Sequence, residues 1–459
     1  MTVTERLSAL RALMKEKGVD AYLVPTDDFH ASEYVGDYFK CRKYITGFTG
    51  SAGTAVITMD MAGLWTDGRY FIQAAQQLEG TTVELFKMGE PEVPTIHEFL
   101  EEKLTEGMCL GFDGRTVSAA EAEELKELLS DKKIRFSVEE DLIGEIWTER
   151  PALSCEPVME LDIKWAGESR AEKCARIRRK MQEKQADVFV LTSLDDIAWL
   201  LNIRGNDIEC NPVILSYVIL TEKDVYFYVQ EEAVSAEVRE ELKKSGITIL
   251  PYFQVYEDVK KLADEDVVLL DEAVVNYTLF ENIPAGVKKV DCVNPSKPMK
   301  AMKNRVEREN VRTAHIKDAK AMCRFIYWLK QNVGKEEITE YSAAEKSYEL
   351  RAQDPDFLDL SFGTICAYGP NAAMCHYAPA KDDCAKVEPE GFFLIDSGGQ
   401  YWQGTTDITR TIAVGELTQE QKEHFTLVLK GNIRLATAKF MYGTVSYTHL
   451  RAHETVLDL

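Results

Sequence analysis

The sequence contains no run of 18 consecutive apolar residues, so it offers no segment long enough for a membrane-spanning helix. Its first 18 residues lack the basic and apolar blocks of a signal peptide. None of the ten cysteines forms a Cys-x-x-Cys pair, and scattered single thiols are typical of a reducing cytoplasm and not of a disulfide framework or a zinc site. We therefore expect a cytoplasmic protein without a membrane partner.

Positive charge is also scarce, because 54 Lys and Arg residues stand against 77 Asp and Glu residues and give a net charge of −23. Such a surface repels nucleic-acid phosphates, so we expect no nucleic-acid partner. Hydrophobic residues make up 45% and charged residues 29% of the chain, the balance of a globular protein. A length of 459 residues exceeds what one hydrophobic core usually spans, which predicts two or three domains.

A helix–strand pattern occurs twice in the first two thirds of the chain. Residues 14–24 and 181–191 match position for position in residue type. A shorter similarity relates residues 70–73 to residues 227–230. Duplicated units of this kind predict two related α/β domains.

The predicted boundaries follow from this duplication and from linker composition. The first domain covers residues 1–152 and the second covers residues 160–296, with a Pro-containing linker between them. A third domain is expected over 297–444. It opens with residues 303–331, which lack Pro and Gly and are expected to form a long helix.

Two aspartates, Asp396 and Asp407, stand eleven residues apart in the third domain. The residues before Asp396 predict an apolar strand, a Gly-rich stretch predicts a turn, and alternation after the turn predicts a second strand. That alternation places Asp407, Thr409 and Thr411 on one face. A hairpin of this kind can direct both carboxylates to a pair of divalent cations. The spacing alone favours turn aspartates, since Asp and Gly are common in hairpin turns.

Further motifs decide between these alternatives. The hairpin and residues 369–379, which hold His376, resemble the catalytic domain of Xaa-Pro aminopeptidases (aminopeptidase P), the creatinase-type or pita-bread metallopeptidases. Other segments resemble the remaining parts of the three-domain members of this family, in the right order. These are residues 25–28, 47–54 and 64–71 for the first domain, 193–205 for the second, and 300–305 for the start of the third.

The resemblance implies an α/β fold of two homologous creatinase-type N-terminal domains followed by an incomplete pita-bread catalytic domain. It implies removal of the N-terminal residue from peptides with proline in second position, and a homodimer. The family uses two divalent cations, usually manganese, with cobalt and zinc as alternatives. By position, Asp396 and Asp407 match metal ligands, and His376 matches a histidine near the scissile carbonyl. Outside the family context, His376 is better explained as an ordinary core or loop residue.

Two other functions stay open at this point. One is prolidase activity on Xaa-Pro dipeptides, against which the duplicated N-terminal domains argue. The other is a non-catalytic peptide-binding module of pita-bread type. The retention of Asp396, Asp407 and His376 favours an enzyme over such a module.

The sequence also departs from the family pattern near its end. The family supplies a further His and two Glu as metal ligands, which are absent from this chain, and the resemblance stops at residue 444. Residues 445–459 are expected to be foreign to the fold, so His449, His453 and Glu454 are not taken as the missing ligands. We therefore expect weak manganese binding and little activity, and tight calorimetric binding of two ions per chain would refute this.

Overall fold

Helices and strands alternate along residues 1–441, which are the residues that the computed structural model describes. The helices are α1 (Val3–Lys17), α2 (Cys41–Thr46), α3 (Phe71–Leu78), α4 (Ile96–Lys103), α5 (Ala119–Leu128), α6 (Leu142–Ile146), α7 (Ile163–Ala166), α8 (Arg170–Glu183), α9 (Leu194–Leu201), α10 (Ala236–Lys244), α11 (Val255–Asp258), α12 (Tyr277–Asn282), α13 (Ser296–Ala301), α14 (Arg305–Asn332), α15 (Glu340–Arg351) and α16 (Gln419–Thr437). Within this described part, no helix is both long and apolar enough to cross a membrane.

The strands are short and fall into groups that follow the chain. They are β1 (Ala21–Pro25), β2 (Thr54–Thr58), β3 (Ala62–Thr66), β4 (Glu84–Lys87), β5 (Cys109–Gly111), β6 (Arg135–Ser137), β7 (Met159–Glu160), β8 (Val188–Leu191), β9 (Ile203–Arg204), β10 (Ser216–Thr221), β11 (Val225–Val229), β12 (Ile247–Pro251), β13 (Val267–Leu270), β14 (Lys288–Asp291), β15 (Phe357–Leu360), β16 (Ile365–Tyr368), β17 (Phe392–Ser397), β18 (Gly399–Tyr401), β19 (Gly404–Thr405) and β20 (Ile408–Ala413). We call residues 1–152 domain I, 160–296 domain II and 297–441 the third region.

Domains I and II each contain a six-stranded sheet with the same topology. The strand order is β4-β3-β2-β1-β5-β6 in domain I and β12-β11-β10-β8-β13-β14 in domain II. In both sheets the first strand pairs antiparallel with the second and parallel with the fifth. The prediction of two related α/β domains is therefore confirmed.

The matched segments 14–24 and 181–191 share the same backbone conformation at the end of the helix and the same hydrogen bond from an Asp side chain. Gly18 and Gln185 both end their helix in the left-handed conformation, with φ of 69° and 55°. Two residues later, an Asp Oδ2 accepts a hydrogen bond from the first backbone N–H of the fifth strand, at 2.8 Å in domain I and 3.0 Å in domain II. These are Asp20 and Asp187, so the helix–strand unit is the conserved element of the duplication.

Residues 70–73 and 227–230, which resemble each other in sequence, do not occupy equivalent positions in the two domains. Residues 227–229 lie inside β11, whereas Tyr70 follows the end of β3 and precedes α3. Because both stretches are short and rich in aromatic residues, composition alone does not separate a strand from a helix start.

The two N-terminal domains share one hydrophobic core across their interface. Domain I contributes Phe29 and His30, which are fully buried between the domains. His30 contacts the Thr192 carbonyl through Nδ1 at 2.9 Å and the Tyr252 hydroxyl through Nε2 at 2.6 Å. Asn276 Nδ2 donates to the Phe29 carbonyl at 2.9 Å. Burial lowers the pKa of His30, which favours a neutral imidazole at this interface.

The third region combines three long helices, α14, α15 and α16, with two three-stranded sheets, β15-β18-β19 and β16-β17-β20. Helix α14 begins two residues after the expected start at 303 and has an Asn304 capping box. Its inner face packs Phe325 and Leu329 against Phe393 and Ile395 of β17. The core of this region therefore lies directly behind the strand that carries Asp396.

Candidate metal and peptide site

The two predicted aspartates are Asp396, within β17, and Asp407, the residue immediately before β20. Asp396 lies in β17 and pairs with Thr409 of β20, and Asp407 precedes Thr409 by two residues. Directly opposed residues share a face, as do residues two apart along a strand. Alternation continued one residue beyond the N-terminal end of β20 puts Asp407 on the side of Asp396, and the effect of the Asp396 carboxylate on the pKa of Asp407 agrees with this.

The electrostatics of this pair suit a cation. Asp396 Oδ1 is buried and accepts no hydrogen bond from residues 1–441. Burial raises the pKa of Asp407, and the neighbouring Asp396 carboxylate raises it further. Two close carboxylates with an unsatisfied buried oxygen are stabilised by a hard divalent cation, which prefers oxygen ligands. The donor set thus fits the metal predicted for these residues.

The chain turns within the Gly-rich stretch between the two aspartates, as predicted, but not at its first glycines. It reverses at residues 402–403, between β18 and β19, whereas Gly398 lies in the extended path between β17 and β18. A Cβ at Gly398 would overlap the Thr406 carbonyl oxygen and the Ser361 hydroxyl. Glycine is needed here because two backbone segments approach closely, and not because the chain bends.

A buried ion pair supports β17 from the opposite side. Arg351 and Asp318 are almost fully buried, and Arg351 Nε donates to Asp318 Oδ1 at 2.6 Å. Arg351 also donates to the Ser397 hydroxyl at 3.0 Å, and the Tyr401 hydroxyl donates to Asp318 at 3.1 Å. Since Ser397 is adjacent to Asp396, this network fixes the strand register at the site. Sequence reasoning missed it, because the pair joins α14 to α15 with no local motif.

A second buried carboxylate, Glu340, organises the loop that carries the predicted histidine. Glu340 is fully buried and accepts hydrogen bonds from the Tyr377 hydroxyl and the Ala385 N–H, both at 2.7 Å. It also accepts from the Tyr368 N–H at 2.6 Å and from Asn371 Nδ2 at 3.0 Å. The loop is thus tied at several points to the start of α15. No sequence signal had singled out Glu340.

His376 itself is exposed and contacts domain I. Its ring stacks on Tyr70, with centroids 5.2 Å apart, and its Nε2 lies 3.5 Å from Arg69 Nη1. Asp67 holds Arg69 in place through two hydrogen bonds of 2.8 Å, from Nε and from Nη2. Residues 64–71 had been noted only as a mark of domain I. The structure therefore adds a guanidinium and an aromatic ring to the surroundings of His376.

Tyr34 of domain I interacts electrostatically both with Tyr70 and with Asp407. Burial raises the pKa of Tyr34, and nearby ionisable groups that include Tyr70 and Asp407 raise it further. Tyr34 is therefore close to the residue on which His376 stacks and also to one member of the carboxylate pair. Domain I thus forms one wall of the candidate site.

Comparison with known proteins agrees with this arrangement. Two models described as the Creatinase/Prolidase N-terminal domain match residues 6–140 and 149–307. A third, described as Metallopeptidase family M24, matches residues 309–457. The M24 match runs past residue 444, where the resemblance is expected to stop, so it does not support a foreign tail at 445–459. The structure of that tail and the predicted absence of further ligands lie outside the residues that the structure describes.

Individual relatives match over nearly the whole chain. A Probable Xaa-Pro aminopeptidase P from Sordaria macrospora is 42% identical over 97% of this chain and 75% of its own length. Aminopeptidase P2 from Arabidopsis thaliana is 36% identical over 97% of this chain and 68% of its own. The crystal structure of X-prolyl aminopeptidase from Caenorhabditis elegans, a cytosolic enzyme with a di-nuclear active site, has a TM-score of 0.92 and 35% identity over 96% of this chain and 75% of that chain. The chain accordingly belongs to the Xaa-Pro aminopeptidase P family of M24 metallopeptidases, enzymes with two creatinase-type N-terminal domains and a pita-bread domain.

Proposed function

We propose that this chain removes the N-terminal residue from peptides whose second residue is proline, at a site formed by Asp396, Asp407 and His376. The observation that carries the proposal is the pair of carboxylates on one face, with an unsatisfied buried oxygen at Asp396. The relatives named above support the peptide specificity.

Asp396 and Asp407 would hold two divalent cations, of which manganese is our first choice and cobalt and zinc are alternatives. When bound, the cations supply Lewis-acid activation of a water and of the scissile carbonyl. The contribution of the chain itself is to keep both carboxylates in register, through the support of β17 by Arg351 and the close approach at Gly398.

Residues around His376 would bind and orient the peptide. His376 can donate a hydrogen bond to the negative charge that develops on the carbonyl oxygen during hydrolysis. Arg69, oriented by Asp67, adds a fixed positive charge beside the imidazole. A proline in second position has no N–H to donate, so the site must recognise the shape of its ring.

We also infer a cytoplasmic location, as for the Caenorhabditis elegans relative, and a homodimer. Sedimentation equilibrium of the full chain at several concentrations would distinguish a dimer from a monomer.

The metal site is tested by titrating the full chain with manganese. Electron paramagnetic resonance measures the free Mn²⁺ that remains at each step. Replacing a ligand carboxylate by an amide is expected to weaken binding by at least about 100-fold, because the amide is neutral. The variant is Asp396→Asn, and the control is Asp382→Asn, an exposed acidic residue in the nearby loop. Unchanged manganese affinity in Asp396→Asn would refute the assignment.

The substrate class is tested separately with matched peptides. A tripeptide with proline in second position is expected to be hydrolysed faster than the Xaa-Pro dipeptide, whereas faster dipeptide cleavage would indicate a prolidase. The same assay decides whether the polypeptide as given has the low activity expected from its sequence.

A further inference from the structure

A cavity of about 440 Å³ lies between domain II and the third region. Its walls include Trp165 and Trp199 from domain II, and Trp402 from the turn between β18 and β19. This turn belongs to the hairpin that separates Asp396 from Asp407. The cavity is therefore distinct from the face that carries the two carboxylates, but it touches the element that connects them.

In the described part of the chain, four positively charged side chains line this cavity, Lys173, Arg204, Lys300 and Lys303, and all but Lys300 hydrogen bond only to neutral acceptors. Lys173, only 1% exposed, donates to the Trp199 carbonyl at 2.8 Å and to Asn202 Oδ1 at 2.6 Å. Arg204 donates to the Ile203 carbonyl at 2.8 Å. The third cation, Lys303, donates to a backbone carbonyl at 2.7 Å. Within residues 1–441, no carboxylate lies within 4.0 Å of any of the three.

Of the residues that the structure describes, only two acidic ones line the cavity, Asp195 and Glu307, so they do not balance its four cations. Glu307 Oε2 accepts from the Asn304 N–H at 2.8 Å and completes the capping box of α14. Asp195 pairs with Lys300. Positive charge therefore remains in excess in this cavity, although the chain as a whole carries a net charge of −23.

Buried charges without a partner are costly, and proteins usually pair them or use them to bind a ligand. Burial lowers the pKa of Lys173 to about 8 and the pKa of Arg204 to about 10, while Glu307 offsets this only in part. An oxyanion in the cavity would supply the missing negative charge and would accept charge-assisted hydrogen bonds from both groups.

We propose that this cavity binds a small oxyanion, a carboxylate or a phosphate-type group, between Lys173, Arg204 and Lys303. The bound anion would contact domain II, the start of α14 and the β18–β19 hairpin at once. It would thereby link the N-terminal domains to the hairpin on which Asp396 and Asp407 stand. The site is independent of the peptidase activity and would exist even if the proposed function were wrong.

Binding is tested with two probes, sulfate and acetate, added to the full chain at constant ionic strength maintained with chloride. Isothermal titration calorimetry measures affinity and stoichiometry. Intrinsic fluorescence gives a second signal, because three of the six tryptophans line the cavity. We expect saturable binding of one anion per chain. Saturation by sulfate alone assigns a phosphate-type ligand, and saturation by acetate alone assigns a carboxylate.

Charge-removing variants locate the site. Arg204→Gln and Lys303→Gln are each expected to weaken binding about tenfold, the effect of losing one charge-assisted hydrogen bond. The matched control is Lys320→Gln, which removes an exposed charge from α14, the helix that follows Lys303, without touching the cavity. If circular dichroism shows that Arg204→Gln does not fold, Lys303→Gln decides the question, since Lys303 is exposed.

Two results would overturn the proposal. One is the absence of saturable binding for both anions. The other is an affinity that is the same in the folded cavity variants as in Lys320→Gln, which would indicate nonspecific anion binding at the surface.

Discussion

Domains I and II share a contact between a cation and an aromatic ring, but the surroundings of this contact differ between the two domains. Helices α1 and α8 each carry a cation eight residues before the matched methionine, and this cation packs on an aromatic ring of the next helix. In domain I, Arg6 donates to the Tyr44 carbonyl at 2.7 Å and lies 4.3 Å from its ring centroid. In domain II, Lys173 donates to the Trp199 carbonyl and lies 4.7 Å from the ring centroid. The duplication has preserved this contact in both copies.

What covers the contact is different. Arg6 is partly exposed at the surface of domain I, whereas Lys173 is buried where the third region packs on domain II. A partly exposed cation in one copy thus corresponds to a fully buried cation beside a cavity in the other. The same local interaction therefore has different electrostatic consequences, which depend on what packs over it.

The segment after the first strand also differs. In domain I a loop follows β1 and inserts Phe29 and His30 into domain II, whereas in domain II the chain enters α9 soon after β8. Domain I therefore supplies the inserted loop of the interface, and domain II supplies the residues that receive it.

Shortening one side chain of this loop, Phe29, is expected to have the largest effect on the free energy of unfolding. Phe29→Ala removes a fully buried ring that packs edge-on against Phe39, with centroids 4.8 Å apart. We expect a loss of about 3–5 kcal/mol in the free energy of unfolding of the N-terminal domains, measured by urea denaturation with circular dichroism. The control Phe253→Ala, at a ring that is 51% exposed, is expected to cost less than about 0.5 kcal/mol. A loss below about 1.5 kcal/mol in Phe29→Ala would show that this loop does not join the two cores.

The two equivalent cations, Arg6 and Lys173, are expected to differ in their effect on how stability depends on pH, and this effect is of intermediate size. The pKa of Lys173 is about 8 in the folded chain, below the usual value of about 10.4 for an unfolded chain. Below pH 8 both states are protonated and the cost of burial is fully present. Between these two values the unfolded state binds more protons, so stability rises with pH, by at most about 3 kcal/mol.

The pair Lys173→Met and Arg6→Met tests this comparison by chemical denaturation between pH 7 and 10. Lys173→Met is expected to abolish the rise, and Arg6→Met is expected to retain it. An equal pH dependence in the two variants would contradict the difference in burial between the copies.

The smallest effect on stability is expected for the hydrogen bond between an Asp side chain and the fifth strand, which both domains contain. Asp20→Ala and Asp187→Ala each remove a hydrogen bond to the fifth strand and are expected to cost about 1 kcal/mol each, measured by urea denaturation. The control is Asp131→Ala, which alters an exposed residue. Values that differ by more than about 1 kcal/mol would show that the duplicated units are no longer energetically equivalent.

Features encoded over a few neighbouring residues could be predicted from the sequence. The helix–strand unit at 14–24 repeats because hydrophobic spacing, a left-handed stop and an Asp follow one another along the chain. The long helix α14 could be predicted because no breaker interrupts it. The shared face of Asp396 and Asp407 follows from strand alternation.

Features that join distant residues could not be predicted. The contact between Arg69 and His376 spans 307 positions, and the bond between Arg351 and Ser397 spans 46. Gly398 illustrates a subtler limit, because local composition does not distinguish a glycine in a turn from one beside a close backbone. Such contacts depend on tertiary packing, which cannot be predicted from the residues that neighbour each position in the sequence.

The hydrogen bonds that converge on Glu340 have one further consequence. They remove the conformational freedom of the His376 loop when the protein folds, before any peptide arrives. Ordering a flexible loop on binding would cost about 1–2 kcal/mol per residue in backbone entropy. Because this loop is ordered in advance, little of the affinity for a peptide is lost in arranging the receptor.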